Sequence, residues 1–228
     1  MKKISKSLII FIMCCIGATS LTSCINGDDN GGIDPETYQQ YLTSMSGIYY
    51  GSSTEWQYEN KLRFYNDTIT TTSSDYMAKV DSITGIVASF SKDSTFAIAG
   101  VPGRVLAKEL PEKYNDLKQA IENASNQTLR GSFEFYSINQ YVSYFTAVPT
   151  SVTYPDLEYG GEKHKVTIAF WYPTGGSFIY MNNRQSVILS LYMAAVYVDD
   201  NKVYDIYTPS STDNLDQIKA CLEFTVSR

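Results

Sequence analysis

The sequence predicts an α+β protein in which antiparallel β-structure predominates, folded as a sandwich or a partly open, lipocalin-like barrel with two longer helices and one short helix. Tyrosine is unusually frequent, at 19 of 228 residues, and 10 phenylalanines and 2 tryptophans accompany it. Aromatic and β-branched residues favour strands, where bulky side chains pack on a pleated surface. Short β-prone runs separated by turn residues fill most of the chain, and amphipathic segments interrupt them in two places.

A lipoprotein signal peptide is predicted at residues 1–23. A basic start with three lysines precedes an apolar run at residues 8–16, which is too short to cross a bilayer as a helix. The sequence LTSC at residues 21–24 then resembles a bacterial lipobox. This resemblance implies that the Cys24 thiol is alkylated with diacylglycerol and becomes the first residue of the mature protein. The alternative is an ordinary cleavage site with Cys24 as a small residue near it.

Residues 24–32 predict a flexible, acidic tether between the lipid and the folded domain. The segment is rich in glycine and has no apolar periodicity, which favours an open coil. Asp28 and Asp29 are similar to the surface-export signal of Bacteroidota lipoproteins, and the alternative for them is a solvated spacer. We therefore expect the lipid bilayer as a partner through Cys24, with the protein on the surface of the outer membrane or on its periplasmic face.

The first helix is predicted from Asp34 onward. Asp34 is placed to be its N-cap and Pro35 its first residue, and Gly47 is placed to end it. Apolar side chains follow at the i, i+3, i+4, i+7 spacing, which predicts one stripe against the core. The stripe consists of Tyr38, Tyr41, Leu42 and Met45.

Two hairpins are predicted in the first half of the domain. Asn66-Asp67 and Lys92-Asp93 each separate two β-prone arms and can supply the positive φ that a tight turn requires. Pro102 then ends the second hairpin, because proline donates no amide to a ladder.

The clearest helix is predicted at residues 111–124. Pro111 stands in its first turn, and the apolar residues lie on one face with glutamate and lysine outside. This face consists of Tyr114, Leu117, Ile121 and Ala124. A third, short helix is predicted at residues 214–219, where the residues just before it can supply a cap.

The second half of the chain predicts a series of strands. Residues 187–198 are nearly apolar on both faces, which predicts a central strand covered on each side, and residues 199–201 turn it into the next strand. The last strand alternates apolar side chains on one side. The predicted strands are residues 131–138, 141–148, 164–172, 177–181, 186–198, 202–207 and 221–226.

The charge of the mature chain argues against nucleic acid as a partner. Without residues 1–23 the chain carries 15 basic and 24 acidic residues, a net charge of −9. Binding a polyanion requires a positive field and phosphate neutralisation, and no cluster of lysine or arginine follows the signal peptide. About 200 residues are enough for one domain with a sizeable core, which we place at residues 33–228.

Cysteine and histidine usage offers little support for catalysis. With Cys24 lipidated and the signal peptide removed, Cys221 is the one remaining cysteine, and its apolar surroundings predict a buried, inert thiol. His164 is the one histidine, and no motif places it beside a nucleophile. We expect no cofactor, because the sequence contains no P-loop, dinucleotide fingerprint, nucleophile elbow or zinc-protease helix.

Acidic residues near the histidine raise the question of a metal site. Glu162 and His164 share a face if this segment is a strand, and a carboxylate with an imidazole can bind a divalent metal. Asp156 and Glu158 lie close in the sequence. We prefer a polar loop and hairpin mouth beside the YGG motif and predict no metal, because no second histidine or ligand spacing supports one.

Two aromatic clusters provide the candidate binding residues. Trp56 and Tyr58 share a face if the chain there is extended, and Trp171, Tyr172 and Tyr180 surround a glycine-rich turn. A tryptophan or tyrosine beside polar residues can stack on a sugar ring while its neighbours bond the hydroxyls. The alternative is that these rings belong to the core, as most tyrosines and phenylalanines must.

Taken together, the lipobox, the acidic tether and the β-rich body resemble the uncharacterised surface lipoproteins of gut Bacteroidota, which are filed as domains of unknown function. Three tripeptides, DTI, DSI and DST, also resemble the protein O-glycosylation site of that phylum. By that resemblance the modified residues are Thr68, Ser82 and Ser94. The likeness of the body is general, so it implies no active site.

Three functions are compatible with these residues, and we expect the first. It is non-enzymatic binding of a glycan or of an envelope or host protein. The second is hydrolysis of a glycan by two carboxylates, although the acids of this chain fall mostly in turns. The third is lipocalin-like transport of a small apolar ligand. An exposed aromatic strip favours binding, carboxylates facing each other across a cleft favour hydrolysis, and an apolar cavity favours transport.

Overall fold

The described part of the chain consists of thirteen antiparallel strands and three helices, which confirms the predicted α+β class. The computed structural model describes residues 32–65, 81–181, 183–206 and 220–228. Its sheet curls into a half-barrel. The strands are β1 (Gly47–Tyr49), β2 (Lys61–Tyr65), β3 (Asp81–Thr84), β4 (Val87–Phe90), β5 (Thr95–Val101), β6 (Gln127–Ser137), β7 (Val142–Pro149), β8 (Val152–Tyr159), β9 (Glu162–Phe170), β10 (Thr174–Met181), β11 (Arg184–Val198), β12 (Asn201–Asp205) and β13 (Cys221–Ser227). The helices are α1 (Pro35–Met45), α2 (Gly103–Leu106) and α3 (Asn115–Asn123), and 3-10 turns lie at Trp56–Tyr58 and Glu112–Tyr114.

Strand β11 is the centre of the sheet, as the apolar run at residues 187–198 predicts. Neighbouring strands follow the order β1-β4-β5-β6-β7-β10-β11-β13-β2-β3, while β9 and β12 also pair with β11, and β8 pairs with β9. Side chains along β11 alternate between buried and half-buried. The inward face is therefore fully covered, whereas the outward face, which was also predicted to be covered, is only half-buried.

The strand β13 confirms the last predicted strand and lies between β11 and β2. Its inward side chains, Leu222, Phe224 and Val226, are fully buried. A strand from the far end of the sequence thus occupies the interior of the sheet.

Helix α1 begins where the sequence predicts. The Asp34 carboxylate accepts a hydrogen bond from the Thr37 N–H at 2.8 Å, and Pro35 takes the first helical position. Leu42 and Met45 are buried, and the two tyrosines of the predicted stripe pack edge-on against a core phenylalanine. The helix contacts the β6–β7 loop, the start of β11 and the end of β13, so it closes one end of the half-barrel.

Arg228 caps the carboxyl end of α1. Its guanidinium donates to the carbonyl oxygens of Ser44 at 2.6 Å and Ser46 at 2.7 Å, and it lies 4.8 Å from the centre of the Tyr49 ring. A cation is favourable here because the last carbonyls carry the negative end of the helix dipole. Gly47 follows with a φ of 143°, and an added Cβ would overlap Arg228. The glycine predicted to end the helix is therefore also needed for its cap.

The helix predicted at residues 111–124 is present, with a different first turn. That turn is the 3-10 segment Glu112–Tyr114, and Pro111 lies just before it and not within it. Leu117 and Ile121 are buried, and the other two residues of the predicted face pack against the core at its edge.

The short helix of the described chain is α2, which the sequence did not predict. It follows Pro102, where the sequence predicted only the end of a strand. Gly103 lets α2 lie close to α3, because a Cβ at this position would overlap the carbonyl oxygen of Ile121. The short helix predicted at residues 214–219 lies outside the described residues.

The second predicted hairpin is confirmed with a correction to its turn. β4 and β5 pair antiparallel, but the positive φ of 61° belongs to Ser94 and not to Lys92 or Asp93. The Ser91 N–H donates to the Thr95 carbonyl at 2.9 Å, which leaves residues 92–94 as a three-residue loop. In such loops the third residue adopts the left-handed conformation after a type I turn. The turn predicted at Asn66-Asp67 lies outside the described residues.

Strand β8 occupies residues 152–159, where the sequence predicted a loop. Pro155 is compatible with a strand here because β8 pairs only with β9 in the described sheet and shifts register between Tyr154 and Leu157. β8 and β9 form a hairpin that turns at the glycine pair of the YGG motif.

One buried asparagine ties the two ends of the curled sheet together. The Asn60 amide donates to the carbonyls of Tyr49 at 2.7 Å and Ile86 at 2.9 Å, and its oxygen accepts from the Ser227 N–H at 2.8 Å. The Gly51 N–H adds a bond to the Ser227 carbonyl at 2.8 Å. These contacts join β1 and β4, at one end of the strand order, to β13 near the other.

Aromatic side chains fill the interior between the sheet and the helices. Phe145 lies 5.5 Å from Phe133 and 6.0 Å from Phe135, measured between ring centres, and Phe90 lies 5.8 Å from Phe133. Such edge-to-face contacts add to the stabilisation that burial itself provides.

Tyr154→Phe is expected to raise the free energy of unfolding by about 1 kcal/mol. The Tyr154 hydroxyl is buried and bonds to no other group of the described chain, and burial raises the pKa of Tyr154 to about 12. Tyr49→Phe is the matched control, because the Tyr49 hydroxyl donates to the Met45 carbonyl at 2.8 Å. It should lower stability by a similar amount. Urea unfolding measures both, and a loss of stability in both variants contradicts the prediction.

Candidate functional site

The first predicted aromatic cluster is exposed but not extended. Its WQY segment forms a 3-10 turn, so Trp56 and Tyr58 do not share a face as a strand would place them. Trp56 is 77% exposed, and the Lys61 ammonium lies 5.4 Å from the centre of a ring of its side chain. Tyr58 is half-buried beneath the Arg184 guanidinium, at 4.2 Å, and Arg184 also pairs with Glu55.

The predicted grouping of the second cluster is wrong. Its two glycines lie within β10 and not in a turn. Trp171 and Tyr172 precede β10, whereas Tyr180 lies near its end, so the length of the strand separates them. The Tyr180 N–H donates instead to the Tyr141 carbonyl at 2.9 Å, which places Tyr180 beside the β6–β7 loop.

Exposed aromatic side chains gather near α1, where β10 ends and β6 and β7 meet. The outward face of this part of the sheet carries Tyr136, Tyr144 and Met181, each between 43% and 62% exposed, and we call these three residues the tyrosine surface. Tyr180 has the parity of the buried Phe178 along β10, so it lies on the other face of the sheet and is not part of this surface. None of the three outward residues was among the predicted binding residues. The alternation of side chains in the sequence shows that a strand has two faces, but it does not show which of the two faces is buried.

The flattest part of the tyrosine surface is a pair of rings. The centres of the Tyr136 and Tyr144 rings are 6.3 Å apart, with 23° between their planes. Phe135 is opposite Phe145 and Ser137 is opposite Tyr144, so Tyr136 is the extra residue of a bulge in β6, next to the partner of Tyr144. Tyr136 is 62% and Tyr144 43% exposed, so part of each side chain is open to solvent. The pair therefore offers a ligand an aromatic platform.

Small side chains border this platform on the outward face of β10. Gly175 is opposite Thr146 and Ser177 is opposite Tyr144 in the pairing of β10 with β7. An added Cβ at Gly175 would meet nothing within 4 Å, so a shallow trough runs there. Thr146 and its neighbour Glu134 place a hydroxyl and a carboxylate beside it, and both can bond a polar ligand.

A second candidate site is a groove of about 430 Å³ between α3 and the β8–β9 hairpin. Leu117, Val198 and Val203 form its apolar floor, and Tyr114 and Tyr159 stand on its two sides. Its polar rim comes from the start of the helical segment and consists of Glu112, Lys113, Asn115 and Asp116.

Both aromatic sides of the groove are held in place. The Tyr114 hydroxyl donates to the Val203 carbonyl at 2.6 Å. The Tyr159 ring lies 4.5 Å from the His164 imidazole, whose Nδ1 is 2.8 Å from the Asp199 carboxylate. A carboxylate only accepts, so His164 donates through Nδ1. Burial, and after it the charge of Asp199, raises the pKa of Tyr159.

The four residues considered for a metal do not converge on one point. His164 is paired with Asp199, while Glu158 lies opposite Lys163 across the hairpin. Within the residues that the structure describes, no group of three or more histidine, cysteine, aspartate or glutamate side chains could hold a metal ion. The hairpin turns at the YGG motif, whereas residues 152–159 form a strand where a polar loop was predicted.

Asp199→Asn is expected to lower the melting temperature at neutral pH, and this loss should become smaller in acid. Hydrogen bonds from His164 and then from the Lys165 N–H hold the Asp199 pKa below its ordinary value of 3.8. The stabilisation is therefore complete above pH 3.8 and is lost as the pH falls through the folded-state pKa. Melting temperatures between neutral pH and about pH 3 measure this difference. Asp200→Asn is the control, and an Asp199→Asn deficit that persists unchanged in acid contradicts the prediction.

The predicted modification residues are only partly described. Cys24 and Thr68 lie outside the described residues, Ser82 lies in β3, and Ser94 is half-buried in the β4–β5 turn. Cys221 is free and buried as predicted, and burial raises its thiol pKa to about 12. None of the helices in the described ranges combines the length and the apolar character needed to cross a membrane.

Comparison with known proteins identifies a family and no activity. A family model for a domain of unknown function, DUF4840, matches residues 44–198, more than half of the chain. Neither a curated protein nor a solved structure matches it. The matched range ends with β11, so it contains the whole tyrosine surface and all of the groove lining except Val203.

Proposed function

The chain belongs to the DUF4840 family, whose function is unknown, and we propose that it is a lipid-anchored, non-enzymatic binding protein that holds a glycan chain on the tyrosine surface. The observation that carries this proposal is the nearly parallel, exposed pair Tyr136 and Tyr144. Sugar rings have an apolar face that stacks on aromatic rings, and hydroxyls that need polar partners close by.

The surroundings of the pair support a polar ligand over a protein partner. The trough along Gly175 and Ser177 gives an extended chain room beside the platform. Thr146 and Glu134 offer polar groups at its side. A protein interface is expected to centre on a larger apolar core with fewer charges. The surface thus has the mixture of ring faces and hydrogen-bonding groups that a glycan requires.

The proposed surface extends beyond β10 toward the first predicted cluster. Met181 is opposite Arg184 in the β10–β11 pairing, and Arg184 lies on Tyr58. Trp56, in the same turn as Tyr58, is the most exposed aromatic side chain among the residues that the structure describes. A long chain can therefore contact both Tyr144 and Trp56, while Trp171 and Tyr172 lie at the other end of β10 and are not part of the proposed surface.

The competing functions receive less support from the same residues. Hydrolysis of a glycan needs two carboxylates about 5 to 10 Å apart on opposite sides of the bond. In the groove, both acids of the rim, Glu112 and Asp116, come from the helical side. Transport of an apolar ligand needs an empty interior, and the described interior is filled with packed phenylalanines.

The proposed anchor fits the position of α1. The ten residue-to-residue steps from Cys24 to Asp34 can span at most about 35 Å, and α1 closes the end of the half-barrel near the tyrosine surface. Lipidation at Cys24 would therefore keep a bound glycan close to the outer membrane. Membrane fractionation of cells with Cys24→Ser tests the anchor, and an unchanged membrane fraction contradicts it.

Tyr136→Ala with Tyr144→Ala is expected to weaken glycan binding by at least about tenfold, because two stacking faces are lost. The purified full chain is first screened on a glycan array that includes neutral plant and host polysaccharides, and affinity electrophoresis then measures the bound ones. Trp56→Ala should weaken binding of long chains only.

Tyr50→Ala is the matched control, because Tyr50 is 69% exposed and lies beside β1, away from the platform. It should bind like the wild type. Binding of no glycan, or equal losses in the control and the double variant, contradicts the proposed function.

A further inference from the structure

The groove between α3 and the β8–β9 hairpin lies at the far end of the sheet from the tyrosine surface. β11 spans 15 residues, with Arg184 beside the tyrosine surface and Val198 in the groove. We propose that this groove is a separate binding site for one neutral, hydroxyl-rich ring of monosaccharide size, held between Tyr114 and Tyr159. The inference does not depend on glycan binding at the tyrosine surface.

The size and shape of the groove fit a small ligand. Its volume of about 430 Å³ lies in the lower part of the range of about 300 to 1,000 Å³ typical of small-molecule sites. An apolar floor and two aromatic sides provide surfaces for the apolar face of a sugar ring. Gly160, on the hairpin side, has open space where a Cβ would stand, so the groove is accessible from solvent.

The site is formed before a ligand arrives. The hydroxyl of Tyr114 is fixed on Val203, and its ring centre lies 6.1 Å from that of Tyr204. Tyr159 is supported by His164, which is held in turn by Asp199. Side chains already ordered by packing and hydrogen bonds lose little freedom on binding, which favours affinity for a small ligand.

The rim charges disfavour an anionic ligand. Glu112 and Asp116 are acidic, and Lys113 is the one base among the residues that line the groove. The Lys113 ammonium lies 4.7 Å from the centre of the Tyr114 ring. Carboxylates accept hydrogen bonds from hydroxyls, and the Asn115 amide both donates and accepts. An anionic sugar would meet two like charges, so neutral sugars are preferred.

Ligand-observed NMR and calorimetry with glucose, galactose, mannose and N-acetylglucosamine test this site in the full chain, with glucuronate as the anionic counterpart. At least one neutral sugar is expected to bind, and to bind more tightly than glucuronate. Val203→Trp fills the groove and should weaken binding at least about tenfold. Asn115→Ala changes one exposed side chain and should weaken it about fivefold, the equivalent of one hydrogen bond.

Tyr50→Ala is the matched control, because it removes a tyrosine that is 69% exposed and belongs to neither site, so it should leave monosaccharide binding unchanged. Polysaccharide binding by the variant with both Tyr136→Ala and Tyr144→Ala separates the failure of one site from the failure of the other. The proposal is overturned if none of the four neutral sugars binds, if glucuronate binds more tightly than glucose, or if binding survives both Val203→Trp and Asn115→Ala.

Discussion

Asn60→Ala is expected to lower the free energy of unfolding by about 3 kcal/mol, the cost of leaving buried backbone groups without partners. The wild-type side chain satisfies the carbonyls of Tyr49 and Ile86 and the N–H of Ser227, all at 2.9 Å or less. Alanine replaces none of these bonds, and Asn60 is only 2% exposed, so water has little access. Urea unfolding followed by circular dichroism measures the loss.

Asn126→Ala provides the comparison, since Asn126 is exposed between α3 and β6. Its stability should stay within about 0.5 kcal/mol of the wild type. The two asparagines differ in burial and partners and not in chemistry. Equal stability of the two variants would show that the ends of the sheet are held by something other than Asn60.

Gly103→Ala is expected to destabilise the protein by about 2 kcal/mol even though alanine is the better helix former. The new methyl would overlap the carbonyl of Ile121, which is a backbone atom and cannot rotate away. α2 and α3 must therefore separate. The gain in helix propensity is about 1 kcal/mol, and the loss of close packing exceeds it. Thermal and urea unfolding give the sign of the net effect.

Gly175→Ala is the matched control for this substitution. Gly175 lies in a strand without a positive φ, and an added Cβ meets nothing within 4 Å. Its stability should be equal to the wild type or slightly higher, because alanine loses less backbone entropy. A stabilising Gly103→Ala would mean that α2 is not packed against the backbone of α3.

Features with a local cause could be predicted from the sequence. The N-cap at Asp34 depends only on Pro35 and Thr37, which follow it closely in the sequence. The buried face of α3 depends on the four-residue spacing of Leu117 and Ile121. β8 could not be predicted in the same way, because Pro155 usually ends a strand. It is tolerated there because β8 shifts register and, in the described sheet, pairs on one side only, and both features depend on the sheet around it.

The candidate sites depend on contacts distant in sequence, which explains why most of their residues were missed. Tyr136 faces solvent by the alternation of β6, but its stacking on Tyr144 depends on the pairing of β6 with β7, which the sequence does not show. Tyr159 forms a side of the groove because His164 bonds to Asp199, 35 residues away. Trp56 was identified because tryptophan is rare in this chain and lies among polar residues.

The position of β13 has a consequence for how the protein reaches its folded state. This strand joins β11 to β2. In a chain that stops before residue 220, β2 and β3 would therefore pair with each other but not with the rest of the described sheet. Pairing over such sequence distances is slow, and β2 cannot pair with β13 before β13 has been synthesised. Until then the edge of β2 that β13 covers stays open, and an open strand edge is a site where two chains can pair wrongly.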